Sequence, residues 1–477
     1  PEMSRGLGDV YKRQSLAIAT LLGACNDEIE MRRPPKVELP DLPVVEDIHT
    51  YKAPLYWSVY EYCYELELQG VSNSDMDITS EEWDKIINWV ATDLKPYGYD
   101  MICTDGFIPM LAQDNSGYMT HYGSMSLKDL VAKCKAKGLK VGVYDNPLWI
   151  HGSDAVKIEG TDYTFGSLRY NGADPVTHPT TDDRWFNWAI VTHPGAQEFI
   201  DGFFRHYSEL GIDYIRMDFL SWYEDGMDRN MGLVGRGYGR EVYARALNYI
   251  AESAKKYGIF TSLVMPHLYN DAEVEAQYGN MIRIVADTGG GGWWHCSAQD
   301  RGKSYANWPN CMNMFDGFTF WSHLSGRNKV ILDGDFIRLN KFSTDAEKET
   351  VVSLQLMAGG PVTVADQYHN IGDNLKFYTN SELLALNEDR FVGHPLSDKL
   401  NNTDNQIWYG EMSNGDYVIG IFNRDDSPRS VTVEFSKLGI DGERKIRDLW
   451  RHADEGSASS VTATIAAHGC KIIRLSK

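Results

Sequence analysis

Apolar residues recur along this chain in two alternating patterns: short continuous runs of strand length, and longer stretches with helical spacing. The run at 54–60, Pro-Leu-Tyr-Trp-Ser-Val-Tyr, reads as a first strand. Thr79-Ser-Glu-Glu82 then has the form of a capping box, and Trp83, Ile86, Ile87, Val90 and Leu94 follow on one helical face. Residues 99–104 predict a second strand, 127–136 a helix and 138–144 a third strand, with Gly138 where a helix C-cap belongs. The alternation continues through a helix at 196–210, a strand at 213–218, a helix at 240–257 and a strand at 259–265, then strands at 281–286, 329–332 and 361–365. Eight strands separated mostly by helices is the count of a closed parallel (β/α)8 TIM barrel. A doubly wound open sheet would call for a glycine-rich phosphate turn after the first strand, and the sequence has none there.

Past residue 396 the texture changes. Short strands at 406–410, 417–423, 430–435, 445–450 and 470–475 are separated by turn clusters such as Ser413-Asn-Gly-Asp416, which predicts a small C-terminal antiparallel β-sandwich. The chain thus divides into a barrel at 51–395 and a sandwich at 396–477. Residues 26–50 are rich in Pro and acids, lack hydrophobic periodicity and read as a linker. Residues 1–25 have the layout of a secretory signal: Lys12-Arg13, a short apolar run at 16–24, then Cys25. Leu22-Gly-Ala-Cys25 resembles a bacterial lipobox, in which the Cys is lipidated, and Asn26-Asp-Glu-Ile-Glu30 resembles the export signal of surface lipoproteins in Bacteroidota. The expectation is an exported lipoprotein at the outer membrane, cell surface or periplasm of a Gram-negative bacterium. It would touch the membrane only through Cys25, because the apolar run is too short to span a bilayer.

Charge narrows the partners. With 67 acidic against 46 basic residues the formal charge is −21, which repels nucleic acid and anionic membrane surfaces and favours a neutral ligand. The 13 Trp and 27 Tyr fill core and also supply flat surfaces the size of a sugar ring. Beyond Cys25 the cysteines are Cys63, Cys103, Cys134, Cys296, Cys311 and Cys470. Their even number permits disulfides, but the first three lie in apolar contexts where a buried thiol is expected. CxxC spacing does not occur, so neither a structural zinc site nor any other cofactor is predicted.

Two of the predicted strands end on carboxylates that matter most. Gly211-Ile-Asp-Tyr-Ile-Arg-Met-Asp218 and Met281-Ile-Arg-Ile-Val-Ala-Asp287 place acids at the C-terminal ends of barrel strands, where barrel enzymes build their sites. Paired carboxylates are the machinery of glycoside hydrolysis, one ionised to attack the anomeric carbon and one protonated for the leaving oxygen. Arg216, two residues before Asp218 on the same strand face, would favour the ionised form there. Asp287 precedes Thr288-Gly-Gly-Gly-Gly-Trp-Trp294, whose apolar bulk could desolvate it and raise its pKa.

The order of these segments resembles the α-galactosidase clan of glycoside hydrolases, families 27 and 36, across residues 50–477. Pro54-Leu-Tyr-Trp57-Ser-Val-Tyr60 is similar to the first-strand Pro-Met-Gly-Trp-Asn-Ser-Trp of that clan, Thr104-Asp105-Gly-Phe107 to its Asp-Asp-Gly-Trp, and residues 138–145 to its Gly-Leu-Lys-Phe-Gly-Ile-Tyr-Ser-Asp. Arg216-Met-Asp218 stands where the clan has Lys-x-Asp with its nucleophile, and Arg283-x-x-x-Asp287 matches the motif of its general acid/base. Asp333-Gly-Asp335, residues 383–389 and Asp448-Leu-Trp450 continue the match. The resemblance implies a retaining exo-α-glycosidase with Asp218 and Asp287 catalytic. It implies substrate binding by Trp57 as a stacking wall, Asp105 as a hydroxyl acceptor, and Asp145, Arg216, His267, Arg283 and Asp333 around them. Trp293 and Trp294 stand as candidates for outer subsites.

Three positions depart from the pattern: Thr104, Arg216 and Tyr60 replace an Asp, a Lys and a Trp that contact the terminal sugar in the clan. Arg for Lys exchanges a point donor for a planar fork. The expected activity is α-galactosidase-like, with α-N-acetylgalactosaminidase, β-L-arabinopyranosidase and isomaltodextran-type α-glucosidase activities open in the same clan. A surface glycan-binding lipoprotein that has lost turnover is the reading from another class.

Overall fold

A computed structural model of the chain describes residues 38–113, 117–169, 186–228, 231–287, 291–297 and 313–477. The expected signal, the lipidation site Cys25, part of the linker and Cys311 lie outside these residues. Eight parallel strands form one sheet: β1 Leu55–Ser58, β2 Met101–Cys103, β3 Lys140–Tyr144, β4 Tyr214–Met217, β5 Phe260–Leu263, β6 Met281–Arg283, β7 Ile331–Asp333 and β8 Val362–Val364. Their order is β7-β6-β5-β4-β3-β2-β1-β8. Just past β7, Ile337 forms a parallel bridge to Val364, with Ile337 N–H donating to Thr363 O and Ala365 N–H to Ile337 O, each at 2.9 Å, and this closes the ring.

Each strand is followed by a helix of the outer layer: α1 Ser80–Trp89, α2 Leu127–Ala136, α3 Ala196–Leu210, α4 Arg240–Tyr257, α5 Tyr269–Tyr278, α6 Met314–Trp321, α7 Asp345–Met357 and α8 Ser381–Glu388. Thr79 caps α1, its hydroxyl accepting from Glu82 N–H, and the helix runs on into a π turn over Val90–Leu94. Gly211 ends α3 at φ 87°, a left-handed geometry that glycine adopts without strain, and the chain turns there directly into β4.

The side that each strand residue faces fixes everything at the mouth. Tyr56, Met101, Cys103, Tyr214, Phe260 and Met281 form an apolar cluster inside the ring. Because side chains alternate along a strand, the residues two steps further on, among them Arg216, Ser262, Arg283 and Asp333, also point inward, one layer nearer the C-terminal end. The intervening residues, Trp57, Ile102, Val143, Ile215, Leu263, Ile282, Leu332 and Val364, pack outward into the main core against the helices.

The antiparallel sheet beyond the barrel runs β9-β10-β11-β16-β13-β14, comprising His394–Pro395, Ile407–Glu411, Tyr417–Phe422, Cys470–Ser476, Arg444–Asp448 and Ala453–Ala458. A second sheet pairs β12 Arg429–Glu434 with β15 Ser460–Ile465. Ile419, Ile421, Ile473 and Leu475 of the first sheet meet Val433, Val461 and Ile465 of the second in the core of the sandwich. Val418, Phe422 and Ile472 face the other way, into the barrel core. The strands β9, β14 and β15 lie outside the sequence expectation. β14 is a mostly exposed edge of polar and small residues, and β15 alternates Val461 and Ile465 with Ser, Thr and Ala, a weak apolar signal. Arg424 fastens the two units together, its guanidinium 2.7 Å from Asp316 of α6 and stacked over Phe315 at 4.5 Å. Among the described residues Cys63, Cys103, Cys134, Cys296 and Cys470 are free thiols.

Candidate active site

At the C-terminal mouth the inward-facing polar layer becomes a network of charges. Arg216 of β4 lies at its centre, fully buried, with Nε 4.0 Å from Asp105 Oδ2, Nη1 3.6 Å from Asp333 Oδ2 and Nη2 3.4 Å from Asp335 Oδ1. The guanidinium stacks over the Phe336 ring at 4.5 Å. The expected pairing of Arg216 with Asp218 is therefore replaced: three acids at or just past the ends of β2 and β7 meet the guanidinium. Burial pushes the Asp105 carboxyl up to about 6, with Arg216 and the Gly106 N–H pulling it back and Asp218 and Asp335 adding to the rise. Burial raises Asp333 as well, against the pull of Arg216.

Asp218 follows β4 and is half-buried at the mouth. Its Oδ2 accepts from the Tyr144 hydroxyl at 3.0 Å and its Oδ1 from the Phe219 N–H at 2.7 Å, while Asn146 Nδ2 holds its carbonyl at 2.9 Å. Phe219 has φ 62°, a costly conformation for an aromatic residue, and this turn directs its N–H back onto the carboxylate. Two donors on a half-buried carboxylate orient it as a nucleophile requires.

Asp287 sits four residues beyond Arg283, which lies opposite Asp333 in the register of β6 and β7. Arg283 Nη2 is 2.7 Å from Asp287 Oδ1, and Arg283 Nη1 is 3.5 Å from Asp335 Oδ1. The Asp287 side chain is 47% exposed, so the expected desolvation by the neighbouring tryptophans is not what surrounds it. Trp293 instead stacks on His468 of the sandwich at 4.3 Å, and Trp294 is 45% exposed. Residues 288–290 lie outside the described residues.

Four other expected positions fall elsewhere. Trp57 faces the helices, fully buried, its indole N–H donating to Asp366 O at 3.0 Å and its ring edge-on to Trp89. It cannot serve as a sugar wall. Asp145 follows the inward Tyr144 and so points outward, accepting from Tyr207 of α3 at 2.5 Å, from His151 Nε2 at 2.8 Å and from the Asn146 N–H at 2.8 Å. Thr104 is likewise buried away from the mouth, its hydroxyl accepting the Tyr144 N–H at 3.0 Å. His267 is fully enclosed, with Nε2 2.8 Å from Asp225 Oδ1 and its ring stacked on Tyr269, whose hydroxyl donates to the other Asp225 oxygen. It fastens the loop after β5 and has no face open to a ligand.

Sequence reading did not assign site roles to Tyr144, Asp335 or Phe336. Tyr144 could have been found by counting alternate positions from the apolar layer. Asp335 was visible in the Asp-Gly-Asp motif, but its left-handed backbone, φ 72°, which swings it between two arginines, was not. Half-buried Tyr60 and Phe107 join Phe336 in an aromatic wall beside Asp105, with Tyr60 4.6 Å from Phe336 and 5.5 Å from Phe107 between ring centroids.

Known proteins resemble this chain in sequence and fold. The chain is 38% identical over 440 residues to an isomalto-dextranase of Arthrobacter globiformis, a match covering 88% of this chain and 67% of that protein. An α-galactosidase of Oryza sativa subsp. japonica is 23% identical over 406 residues, covering 83% and 79%. Among solved structures, the isomalto-dextranase of A. globiformis T6 complexed with panose is similar with a TM-score of 0.81 at 34% identity, covering 94% of this chain and 76% of that one. A GH27 β-L-arabinopyranosidase of Geobacillus stearothermophilus shares the fold, with a TM-score of 0.67 at 18% identity and coverage of 89% and 96%. Residues 402–475 match the alpha galactosidase C-terminal beta sandwich domain. With 38% identity over most of its length and the same fold at a TM-score of 0.81, the chain belongs to glycoside hydrolase family 27 and is a glycoside hydrolase.

Proposed function

We propose that this enzyme is a retaining exo-α-glycosidase of the isomalto-dextranase type, releasing disaccharide units from the ends of α-1,6-linked glucan. The observation that carries the reaction is the pair of mouth acids in different settings: Asp218 held by two hydrogen-bond donors, and Asp287 at the open rim. Asp218 attacks the anomeric carbon while Asp287 gives its proton to the departing glycosidic oxygen, leaving a glycosyl ester on Asp218. Asp287 then takes a proton from water, the water oxygen bonds to the same carbon, and the ester breaks with the original anomeric configuration restored.

For the sugar, the likeness to isomalto-dextranase over most of the chain supports glucan. Arg216 agrees with it, since a fork locked among three acids and an aromatic ring builds a different floor from the lysine of the α-galactosidase pattern. The match to an α-galactosidase sandwich does not weigh against this, because all the candidate site residues precede residue 402.

Digestion of dextran followed by chromatography of the products tests the reading, with isomaltose as the expected release. Release of galactose from an α-galactoside, with dextran untouched, overturns the substrate. The lipobox supports export and tethering through Cys25, and loss of fatty-acid labelling in Cys25→Ser tests that separately.

A further inference from the structure

A general acid beside an arginine poses an electrostatic problem. Arg283 Nη2 lies 2.7 Å from Asp287 Oδ1, and a cation at that range favours the ionised carboxylate. An acid catalyst must instead arrive at the leaving oxygen still carrying its proton.

The charge of Arg283 is shared, however. Its Nη1 faces Asp335 Oδ1 at 3.5 Å, and the same oxygen is 3.4 Å from Arg216 Nη2. Asp335 is buried and fixed through its own backbone: its N–H donates to Asp333 Oδ1 at 2.8 Å and its carbonyl accepts from Gln355 Nε2 of α7 at 3.1 Å. Among the described residues the groups that face it include Arg216 from β4, Arg283 from β6, Asp333 from its own turn, Asp105 from the end of β2 and Tyr60 after β1. Arg216 is already met by Asp105 and Asp333. Among these described groups three acids stand against two arginines, and Asp335 is the carboxylate that meets both Arg216 and Arg283.

We propose that Asp335 is a positioning residue that draws on the charge of Arg283, so that Asp287 keeps its proton to higher pH than a lone pairing with Arg283 would allow. This rests on the reading of Asp287 as the acid/base. Arg283 then orients the Asp287 carboxyl without stripping it, and Asp335 supplies the balance from inside the barrel, out of reach of bulk water.

The test is the pH profile of kcat in Asp335→Asn. Asn keeps the size of the side chain and is among the residues that enter the left-handed region most readily. Isomaltotriose, whose leaving group needs a proton, serves as substrate, and 2,4-dinitrophenyl α-isomaltoside, whose leaving group does not, serves as the control. The alkaline limb for isomaltotriose is expected to move about one pH unit lower, while the dinitrophenyl substrate shows no such shift. A merely structural loss would lower both rates at every pH and leave the limb in place. Arg283→Gln reads the same relationship from the other side and is expected to move the limb upward, so the proposal stays open to disproof if Asp335→Asn does not fold. An unmoved limb in these variants, with Asp287→Asn inactive on isomaltotriose, overturns the role of Asp335 and leaves the acid standing. Near wild-type turnover of isomaltotriose by Asp287→Asn overturns the acid assignment, and this proposal with it.

Discussion

The Tyr144 hydroxyl donates to Asp218 Oδ2 at 3.0 Å across two neighbouring strands, in the register that sets Tyr144 beside Arg216. Tyr144 reaches the carboxylate only because it ends β3 on the inward face, and its backbone N–H is tied to the Thr104 hydroxyl at 3.0 Å behind it. A hydrogen bond to a charged group is worth about 1.5–3 kcal/mol. Tyr144→Phe is therefore expected to lower kcat/KM about 10- to 100-fold with the fold intact. Steady-state kinetics beside a circular dichroism spectrum will check it, and wild-type rates would mean the hydroxyl does nothing for the nucleophile.

Trp57 supplies a contrast. Its ring is enclosed among barrel and helix side chains, and its one polar atom is tied to the Asp366 carbonyl. Trp57→Phe removes that bond and some packing, so a stability loss of about 1–3 kcal/mol is expected with KM unchanged. A rise in KM without a change in unfolding midpoint would return Trp57 to the sugar site.

Arg216 has the larger stake. Removing one partner of a buried ionic group typically costs about 3–5 kcal/mol, because the remaining charges are left uncompensated. Arg216→Met is expected to fall in that range in denaturant unfolding. Arg216→Lys should fall between it and wild type, since an ammonium keeps the charge but cannot span Asp105, Asp333 and Asp335 or stack on Phe336. Equal stability of Arg216→Met and wild type would show that the acids surrender their charge instead.

These residues also show where a sequence stops being readable. The eight barrel strands were legible because strands buried on both faces read as continuous apolar runs, and the observed strands fall within the predicted spans to about a residue. The same continuity hides orientation. With no polar alternation, nothing in Leu-Tyr-Trp-Ser says that Tyr56 faces the lumen and Trp57 the helices. Asp145 and Asp218 each stand one residue past a strand and look alike, yet Tyr144 is inward and Met217 outward, so the first acid turns to α3 and the second to the mouth. The Arg283 motif keeps Asp287 within 2.7 Å of the arginine, four residues on, while the swing of Asp335 depends on one backbone angle that no spacing rule encodes.

Asp105 ties the electrostatics to stability. Burial raises its carboxyl from 3.8 to about 6 in the folded protein, against the opposing pull of Arg216. The native state thus holds this proton more tightly than the unfolded chain does. Below about 3 both forms are protonated and the group is neutral in effect. As pH rises from there to about 7 the native state is penalised, and above about 7 the penalty is complete and constant. Roughly two pH units at about 1.4 kcal/mol each gives about 3 kcal/mol. Asp105→Asn cannot titrate and escapes the penalty. Asp333 and Asp366, also raised by burial, titrate in both proteins and largely cancel in the difference. The stability of Asp105→Asn relative to wild type should therefore shift in the variant's favour by about 3 kcal/mol between pH 3 and pH 7, whatever the fixed cost of losing the partner of Arg216. Urea unfolding of both proteins across that range measures the difference, and a flat difference would mean that Asp105 ionises in the folded barrel as freely as in water.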